Sequence, residues 1–242
     1  MAISNPDTIA QLRKDILLLQ GFKPPAAGAV DTGLGPMTSA FPNGVFPTGA
    51  VHEFLSTGPT SAAATGGFVS GLAATLMSSA GVCCWIGSRR VFPPGLKAFG
   101  VDPDRVVFVD VKKEKDICWA MEEALKCEGL AAVVGELQEI PFIASRRLQL
   151  AVEQSRVTGF LLRHEPRNLN AIACVARWRI TPMASEPFAG MPGVGFPRWN
   201  VELSKIRNGQ PGIWQMEWSA GRFHPVVPDI PALPQIQRRK TG

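Results

Sequence analysis

The residues whose types and spacing come closest to a chemical motif lie at positions 58–65, with the sequence Gly-Pro-Thr-Ser-Ala-Ala-Ala-Thr. A phosphate-binding P-loop has a glycine, four variable residues and then Gly-Lys-Ser/Thr. The first glycine and the final threonine are present, but alanines replace the second glycine and the lysine. The degenerate P-loop consists of Gly58, Pro59, Thr60, Ser61, Ala63, Ala64 and Thr65.

The two alanines remove groups that bind phosphate. Ala64 lacks the ammonium group of the P-loop lysine, and one charge-assisted hydrogen bond is worth about 1.5–3 kcal/mol. Ala63 disfavours the positive φ that a glycine tolerates at this position. The helix N-terminus at residues 65–67 retains the potential to hold an anion weakly.

Two further elements of ATP hydrolysis are missing from the sequence. The buried strand predicted at 131–134 is followed by Gly135, and Glu136 comes one place later than an acid that would hold Mg²⁺. The strand predicted at 82–86 is followed by Gly-Ser-Arg-Arg, which supplies no carboxylate to position water. The three losses together predict no catalytic residue, no cofactor and no metal. They also predict that the P-loop segment is now a turn between a strand and a helix.

Other reactive side chains show no better arrangement. The three histidines are far apart, and the five cysteines contain no CxxC pair, which is typical of reduced core thiols in a cytosolic protein. We considered His52, Glu53, Glu136 and Glu139 as acid–base groups. No nucleophile or metal set converges on them in the sequence, so they are weak candidates.

Composition predicts one cytoplasmic α/β domain. The chain has 242 residues, of which 45% are hydrophobic and 19% charged, as in an ordinary globular protein. No apolar run is long enough to span a bilayer, and no signal peptide begins the sequence. The net charge of +5 permits weak, non-specific contact with DNA.

The elements that must position these residues alternate along the middle of the chain. Strands are predicted at 51–55, 82–86, 106–109, 131–134 and 159–162, and helices at 67–79, 114–127 and 144–155. This order predicts a mostly parallel central sheet with helices on both faces. Strands at 199–203 and 213–218 flank an Asn-Gly turn signal and predict an antiparallel C-terminal hairpin.

The sequence divides into an N-terminal helix at 1–22, a linker at 23–47, a core at 48–222 and a flexible Pro-rich basic tail at 223–242. Ile9, Leu12, Ile16 and Leu19 form one apolar face of the helix. We expect this face to mediate self-association or partner docking, and packing on its own core is the alternative.

The tail offers a second partner-binding segment. Ile230, Leu233 and Ile236 are its apolar anchors, and Arg238, Arg239 and Lys240 form a basic end. A tail without a partner is the alternative.

Tryptophans near Arg177 and Arg179 suggest base stacking, but three of them lie in the hairpin, where alternate rings face the core. Core packing is therefore the preferred interpretation for most of these rings. A DNA-binding loop after the strand at 159–162 would need more chain than residues 163–170 provide. We therefore expect intrinsic DNA binding to be weak.

The run at 95–104 and the hairpin at 199–218 resemble the RecA core. The chain more closely resembles the ImuA family of RecA-like accessory proteins of bacterial mutagenic repair. The matching stretches lie at 49–54, 93–106, 119–125, 129–137, 145–163, 176–179 and 197–218.

The resemblance implies a non-catalytic RecA-fold adaptor in SOS-induced translesion synthesis. Its partners would be an ImuB-type relative of Y-family polymerases and an error-prone C-family DNA polymerase, with RecA as a further partner. Such a protein would be cytoplasmic and nucleoid-associated after DNA damage. Two alternatives remain open: a weak ATPase with a non-standard P-loop, and a SulA-like cell-division inhibitor. The longer core and the C-terminal hairpin argue against the latter.

Overall fold

The computed structural model describes residues 11–12, 15–16, 31–79, 81–88, 91–187 and 193–226. Its strands are β1 (Val51–Ser56), β2 (Val82–Gly87), β3 (Val106–Asp110), β4 (Leu130–Leu137), β5 (Thr158–His164), β6 (Ala176–Met183), β7 (Arg198–Ile206), β8 (Gly212–Ser219) and β9 (Arg222–Pro225). Its helices are α1 (Gly58–Leu76), α2 (Pro93–Lys97), α3 (Glu114–Leu125) and α4 (Phe142–Ser155). Short 3₁₀ turns occupy Gly35–Ala40, Pro42–Gly44, Met77–Ser79 and Pro103–Arg105.

The nine strands found in the described residues form one sheet in the order β3-β2-β4-β5-β1-β6-β7-β8-β9. In this sheet order, the first six strands, β3, β2, β4, β5, β1 and β6, are parallel to one another. The last three, β7, β8 and β9, each pair antiparallel with the preceding strand. The prediction of a mostly parallel α/β sheet with an antiparallel C-terminal hairpin is confirmed.

Successive strand residues point to opposite sides of the sheet, so apolar side chains lie on both of its faces. Helices cover both faces. On one face, α1 packs through Phe68 and Leu72 into a core that includes Trp178 and Trp199. On the other, α3 and α4 bury side chains such as Met121 and Leu148 against the sheet. None of the helices described is long and apolar enough to cross a bilayer.

Two glycines let α1 approach its neighbours closely. A Cβ at Gly67 would lie 2.7 Å from the Phe99 ring, and one at Gly71 would lie 2.8 Å from Trp218 and Phe223. These distances are shorter than real carbon contacts, so each glycine makes room for an aromatic ring.

The described part of the predicted linker packs into the core. Leu34, Met37, Phe41 and Phe46 are buried beside Trp178 and α1 residues. The Gly- and Pro-rich composition of residues 23–47 favoured a loop or linker, but 3₁₀ turns place its apolar side chains on one side. Residues 34–46 therefore belong to the folded domain.

The predicted start of the tail, at residue 223, is also too early, because the folded structure continues beyond it. Residues 222–225 form β9, and Phe223 is buried against Trp218. A two-residue turn joins β8 to β9, with positive φ at Ala220 and Gly221, the geometry that suits a tight hairpin. Residues 227–242, with the predicted anchors, lie outside the described residues.

The hairpin tryptophans pack in the core, as the alternating pattern predicted. Trp178, Trp199 and Trp218 are buried, and Trp214 packs against the same core cluster. Of the predicted N-terminal helix, residues 11, 12, 15 and 16 are described and are helical. Leu12 is 54% exposed and Ile16 is 50% exposed.

Candidate functional site

The carboxyl ends of the parallel strands β1, β2, β4 and β5 meet at one edge of the sheet. Ligands of open α/β sheets bind at such an edge, beside the N-terminus of a helix. Here that helix is α1, which follows β1 after the single residue Thr57. Residues 58–65 therefore lie at the edge where open α/β sheets bind their ligands.

The chain passes from β1 into α1 without an intervening loop. Thr57 is extended and makes no side-chain capping bond among the described residues, and α1 begins at Gly58, whose φ is +76°. The expected turn at 58–65 is thus wrong: these residues form the first two turns of the helix. Pro59 suits a first helical turn, and the following alanines have the highest helix propensity, which explains the early start.

The side chains of these two turns divide between solvent and the core. Pro59, Thr60 and Ala63 are exposed. The core-facing residues are Ser61, whose hydroxyl donates to the Ile180 carbonyl at 2.7 Å, and Ala64.

Thr65, which occupies the Mg²⁺-binding position of the P-loop pattern, is fully buried. Its hydroxyl oxygen has no hydrogen-bond partner among the described residues. The positions that would hold Mg²⁺ and the lysine therefore face the protein interior.

Four polar side chains lie next to one another at the strand ends. The Ser56 hydroxyl and His164 Nδ1 are within hydrogen-bond distance, at 2.7 Å. His164 Nε2 lies 3.4 Å from Glu136 Oε2 but makes no hydrogen bond with any described residue. Trp85 Nε1 donates to Glu136 Oε1 at 2.6 Å. We call Ser56, His164, Glu136 and Trp85 the strand-end chain.

The strand-end chain has the residue types of a serine–histidine–carboxylate array, in which a base activates a hydroxyl. Its groups are buried, with only 10% of the His164 side chain exposed. The interpretation of Glu136 as lying just after a strand is wrong, because β4 continues to Leu137. The sequence contained one signal for this chain, since Ser56 and His164 are polar residues at the ends of apolar strands. The structure shows that the two residues pair in register.

A buried ion network lies on the opposite face of the same strands. Arg163 of β5 is fully buried and donates to Glu53 of β1 at 2.7 Å and to Glu139 at 2.9 Å. Arg177 of β6 donates to the second Glu53 oxygen at 2.5 Å. Arg163 also donates to the backbone carbonyls of Gln138 and Asn168, at 3.1 and 3.0 Å. The network ties three strands to the connections that follow β4 and β5.

Glu139 fixes the second of these connections. It accepts hydrogen bonds from the backbone N–H groups of Arg167 and Asn168 at 2.6 and 3.2 Å. Partial burial acts to raise the pKa of Glu139, but these two N–H groups and the Arg163 guanidinium lower the pKa overall. Glu53 and Glu139, weak acid–base candidates on sequence grounds, are both ion-pair partners of Arg163.

A groove of about 640 Å³ opens between α3 and α4. Its apolar surface comes from Trp119, Pro141 and Ala144, and its polar surface includes Glu114, Asp116 and Glu122. Trp119 is 62% exposed. We call this the α3–α4 groove. In the sequence, nothing distinguished the exposed Trp119 from the tryptophans of the core.

The predicted partner-binding residues are not brought together in the described structure. Leu12 and Ile16 are exposed, while Ile9, Leu19, Ile230, Leu233, Arg238 and Arg239 lie outside the described residues. Within the described part of the chain, no group of three His, Cys, Asp or Glu side chains is placed to hold a metal ion.

Comparison with known proteins gives the chain its family. No protein-family model matches it. Curated proteins from two strains of Caulobacter vibrioides, each named Protein ImuA, are 35% identical to the chain over 190 residues. The match covers 73% of this chain and 78% of each relative. The chain belongs to the ImuA family. The family predicted from the sequence is therefore confirmed.

The sequence stretches that resemble the ImuA family carry half of the side chains of the ion network and the strand-end chain. They include Glu53, Arg163 and Arg177 of the ion network and Glu136 of the strand-end chain. The degenerate P-loop lies outside those stretches.

Proposed function

We propose that this chain is a non-catalytic adaptor of SOS-induced error-prone DNA repair, with a degenerate ATP-binding loop in a RecA-like core. Its partners are an ImuB-type relative of Y-family polymerases and an error-prone C-family DNA polymerase. Membership of the ImuA family supports this role over a SulA-like one. RecA binding, self-association and weak non-specific DNA contact are secondary parts of the proposal.

The observation that carries the proposal is the direct entry of β1 into α1. A P-loop holds phosphate because consecutive backbone N–H groups curl around the anion. Residues 58–65 are helical here, so most of those N–H groups are directed along the helix instead. Ala64 also faces the core, where a phosphate-binding lysine would have no route to a nucleotide.

The strand-end chain supports the same interpretation. In an ATPase the polar residues at this edge bind Mg²⁺, water and phosphate. Here a Glu136 oxygen accepts a hydrogen bond from Trp85, and the Ser56 hydroxyl is within hydrogen-bond distance of His164 Nδ1 instead. A carboxylate and a hydroxyl already engaged within the protein favour a structural edge over a catalytic one.

Partner contact is assigned to the two ends of the chain. The N-terminal helix presents Leu12 and Ile16 outward, as a docking face requires. The tail adds Ile230 and Leu233 with a basic end at Arg238 and Arg239. We place the protein in the cytoplasm, at the nucleoid after DNA damage.

The test is affinity purification of the full chain from DNA-damaged cells, with mass spectrometry of what co-purifies. We expect the ImuB-type protein and the C-family polymerase, and we expect Leu12→Asp with Ile16→Asp to lose at least one of them. Gln11→Asp, at an exposed polar position of the same helix, is the matched control. Recovery of neither polymerase partner by the unaltered chain would refute the adaptor role.

The non-catalytic part needs its own measurement. We expect no saturable binding of a fluorescent ATP analogue and no ATP hydrolysis above background. Hydrolysis that disappears in Thr65→Val would instead establish the weak ATPase.

A further inference from the structure

The α3–α4 groove has an exposed apolar surface and an acidic rim. Trp119 forms one wall, and Pro141 and Ala144 lie across from it. An indole with 62% of its surface in solvent contrasts with the buried Trp178 and Trp199. Exposed aromatic side chains beside a groove are typical of peptide-binding surfaces.

The charge of the groove selects a basic ligand. Four acids line it, against two bases, Lys115 and Arg147. The acids are Glu114, Asp116, Glu122 and Glu139. Arg147 is already paired with Glu122 at 2.6 Å, and Glu139 is paired with Arg163. Asp116, in the first turn of α3, makes no ion pair among the described residues and leaves negative charge at the rim.

The sequence after β9 contains a segment with matching chemistry. Residues 228–236 read Pro-Asp-Ile-Pro-Ala-Leu-Pro-Gln-Ile, three consecutive Pro-x-apolar repeats. A polyproline II helix has three residues per turn, so Ile230, Leu233 and Ile236 would share one edge of it. Arg238, Arg239 and Lys240 follow after Gln237. Such segments bind aromatic grooves at low entropic cost, and a flanking basic cluster pairs with acids at the rim.

The segment cannot easily reach the groove of its own chain. The groove-forming helix α3 packs on β4 through Met121 and Gly135, whereas the described chain ends beyond β9. Six strand spacings separate β4 from β9, which is about 29 Å at 4.8 Å per strand. At 3.1 Å per residue, crossing that distance takes about nine residues, the length of the repeat itself.

We propose that the α3–α4 groove of one copy binds residues 228–240 of a second copy. The contact joins two different surfaces, so a bound pair still offers one free groove, on one copy, and one free segment, on the other. Association then grows with concentration in a head-to-tail manner and weakens at high salt, because the basic end is screened. The proposal does not depend on the adaptor function, and a copy whose segment is bound in a groove cannot offer Ile230 and Leu233 to a polymerase partner at the same time.

The test uses the full chain throughout. Analytical ultracentrifugation should show an average mass that rises with protein concentration. Trp119→Ala removes the aromatic wall, and Leu233→Asp removes the central anchor of the segment. Each variant alone should weaken association at least about tenfold, as truncation of a central aromatic anchor does. Ile213→Ala, at an exposed apolar residue of β8, is the matched control and should associate like the unaltered chain.

A mixture of the two variants is the decisive experiment. Trp119→Ala keeps its segment and Leu233→Asp keeps its groove, so together they should form a 1:1 dimer that cannot grow further. Unchanged thermal unfolding of both variants shows that the fold is intact, as the exposure of Trp119 leads us to expect. A full chain that stays monomeric, or a mixture that stays monomeric while the full chain associates, would overturn the proposal.

Discussion

At the scale of single residues, His52 is a buried neutral imidazole with both nitrogens satisfied. Nε2 donates to the Pro47 carbonyl at 2.7 Å, and Nδ1 accepts from Trp178 Nε1 at 3.3 Å. The ring stacks on Phe46 at a centroid distance of 4.5 Å. Burial lowers the pKa of His52 from 6.5 to about 4, although the Pro47 hydrogen bond acts to raise it.

This environment predicts a loss of stability in mild acid. Below pH 6.5 the unfolded chain protonates His52, whereas the folded chain does not until about pH 4. The free energy of unfolding should therefore fall between these pH values by about 3 kcal/mol, from a pKa difference of some 2.5 units. Urea unfolding at a series of pH values measures this loss. In His52→Gln the loss should shrink by that amount, and an unchanged pH profile would show that His52 is not its source.

The fully buried Arg163–Glu53 pair gives the second prediction. Removing one partner of a buried pair typically costs about 3–5 kcal/mol, because the other charge loses its compensation. Glu53 would keep Arg177 as a partner, which favours the lower end of this range, about 3 kcal/mol. Arg163→Met should therefore lower the free energy of unfolding by about that amount. It also frees Glu139 and the carbonyls of Gln138 and Asn168 from their donor.

Arg179 provides the matched control for this measurement. It lies 3.5 Å from Glu202, and 47% of its side chain is exposed. Exposed pairs contribute about 0–1 kcal/mol, so Arg179→Met should change urea unfolding little. Equal effects of the two substitutions would contradict the role given to the buried network.

At the scale of secondary-structure elements, α1 differs most from its sequence pattern. Ala64 faces the core while Ala63 faces solvent, one residue apart on the same helical turn. Ala64→Lys places a long charged side chain in packed space and should destabilise the fold by roughly 1–3 kcal/mol. Ala63→Lys should stay within about 0.5 kcal/mol of the parent. Thermal unfolding of both, with ATP titration, checks this: tight ATP binding by a stable Ala64→Lys protein would restore the P-loop interpretation.

The type of most elements was accessible from the sequence because apolar runs and helical periodicity are local. The strands β1 to β5, β7 and β8 lie within a few residues of their predicted positions, whereas α1 begins at Gly58 instead of residue 67 and α2 was not predicted. The strand ends were set too short, since Ser56, Glu136 and Arg163 are polar. Their partners lie far away in the sequence, for example His164 at 108 residues from Ser56 and Glu53 at 110 residues from Arg163, and no local period records such a pairing.

Packing between residues far apart in the sequence also explains the two segments that the sequence assigned to a linker and to a tail. Residues 34–46 have a loop-like composition, but Phe41 and Phe46 each lie near Trp178, a residue more than 130 positions later. In the sequence, Phe223 comes after the predicted hairpin and was assigned to the tail. Its ring centroid nevertheless lies 4.8 Å from that of Trp218 in the core. Tertiary packing decided both segments, so their place in the fold required the structure.

At the scale of the whole molecule, the folded unit is wider than the predicted core of 48–222. Leu34, Met37, Phe41 and Phe46 cover the α1 face of the sheet from one side of the sequence, and Phe223 does so from the other. Losing one buried phenylalanine typically costs about 3–5 kcal/mol, against a total stability of about 5–15 kcal/mol. A fragment of residues 48–222 lacks three such rings and should not hold a packed core, whereas a fragment of residues 31–226 retains them all.

We therefore expect the 31–226 fragment to unfold cooperatively, at a temperature within a few degrees of the full chain. The 48–222 fragment should instead show weak near-ultraviolet circular dichroism and bind a hydrophobic dye, because Phe68, Trp178 and Trp199 lose their cover. The full chain with Phe41→Ala separates the packing effect from chain length, since it removes one covering ring and deletes nothing. It should unfold at a lower temperature than the 31–226 fragment. If the 48–222 fragment unfolded as cooperatively as the full chain, residues 34–46 and Phe223 would be a surface layer and the narrower boundary would stand.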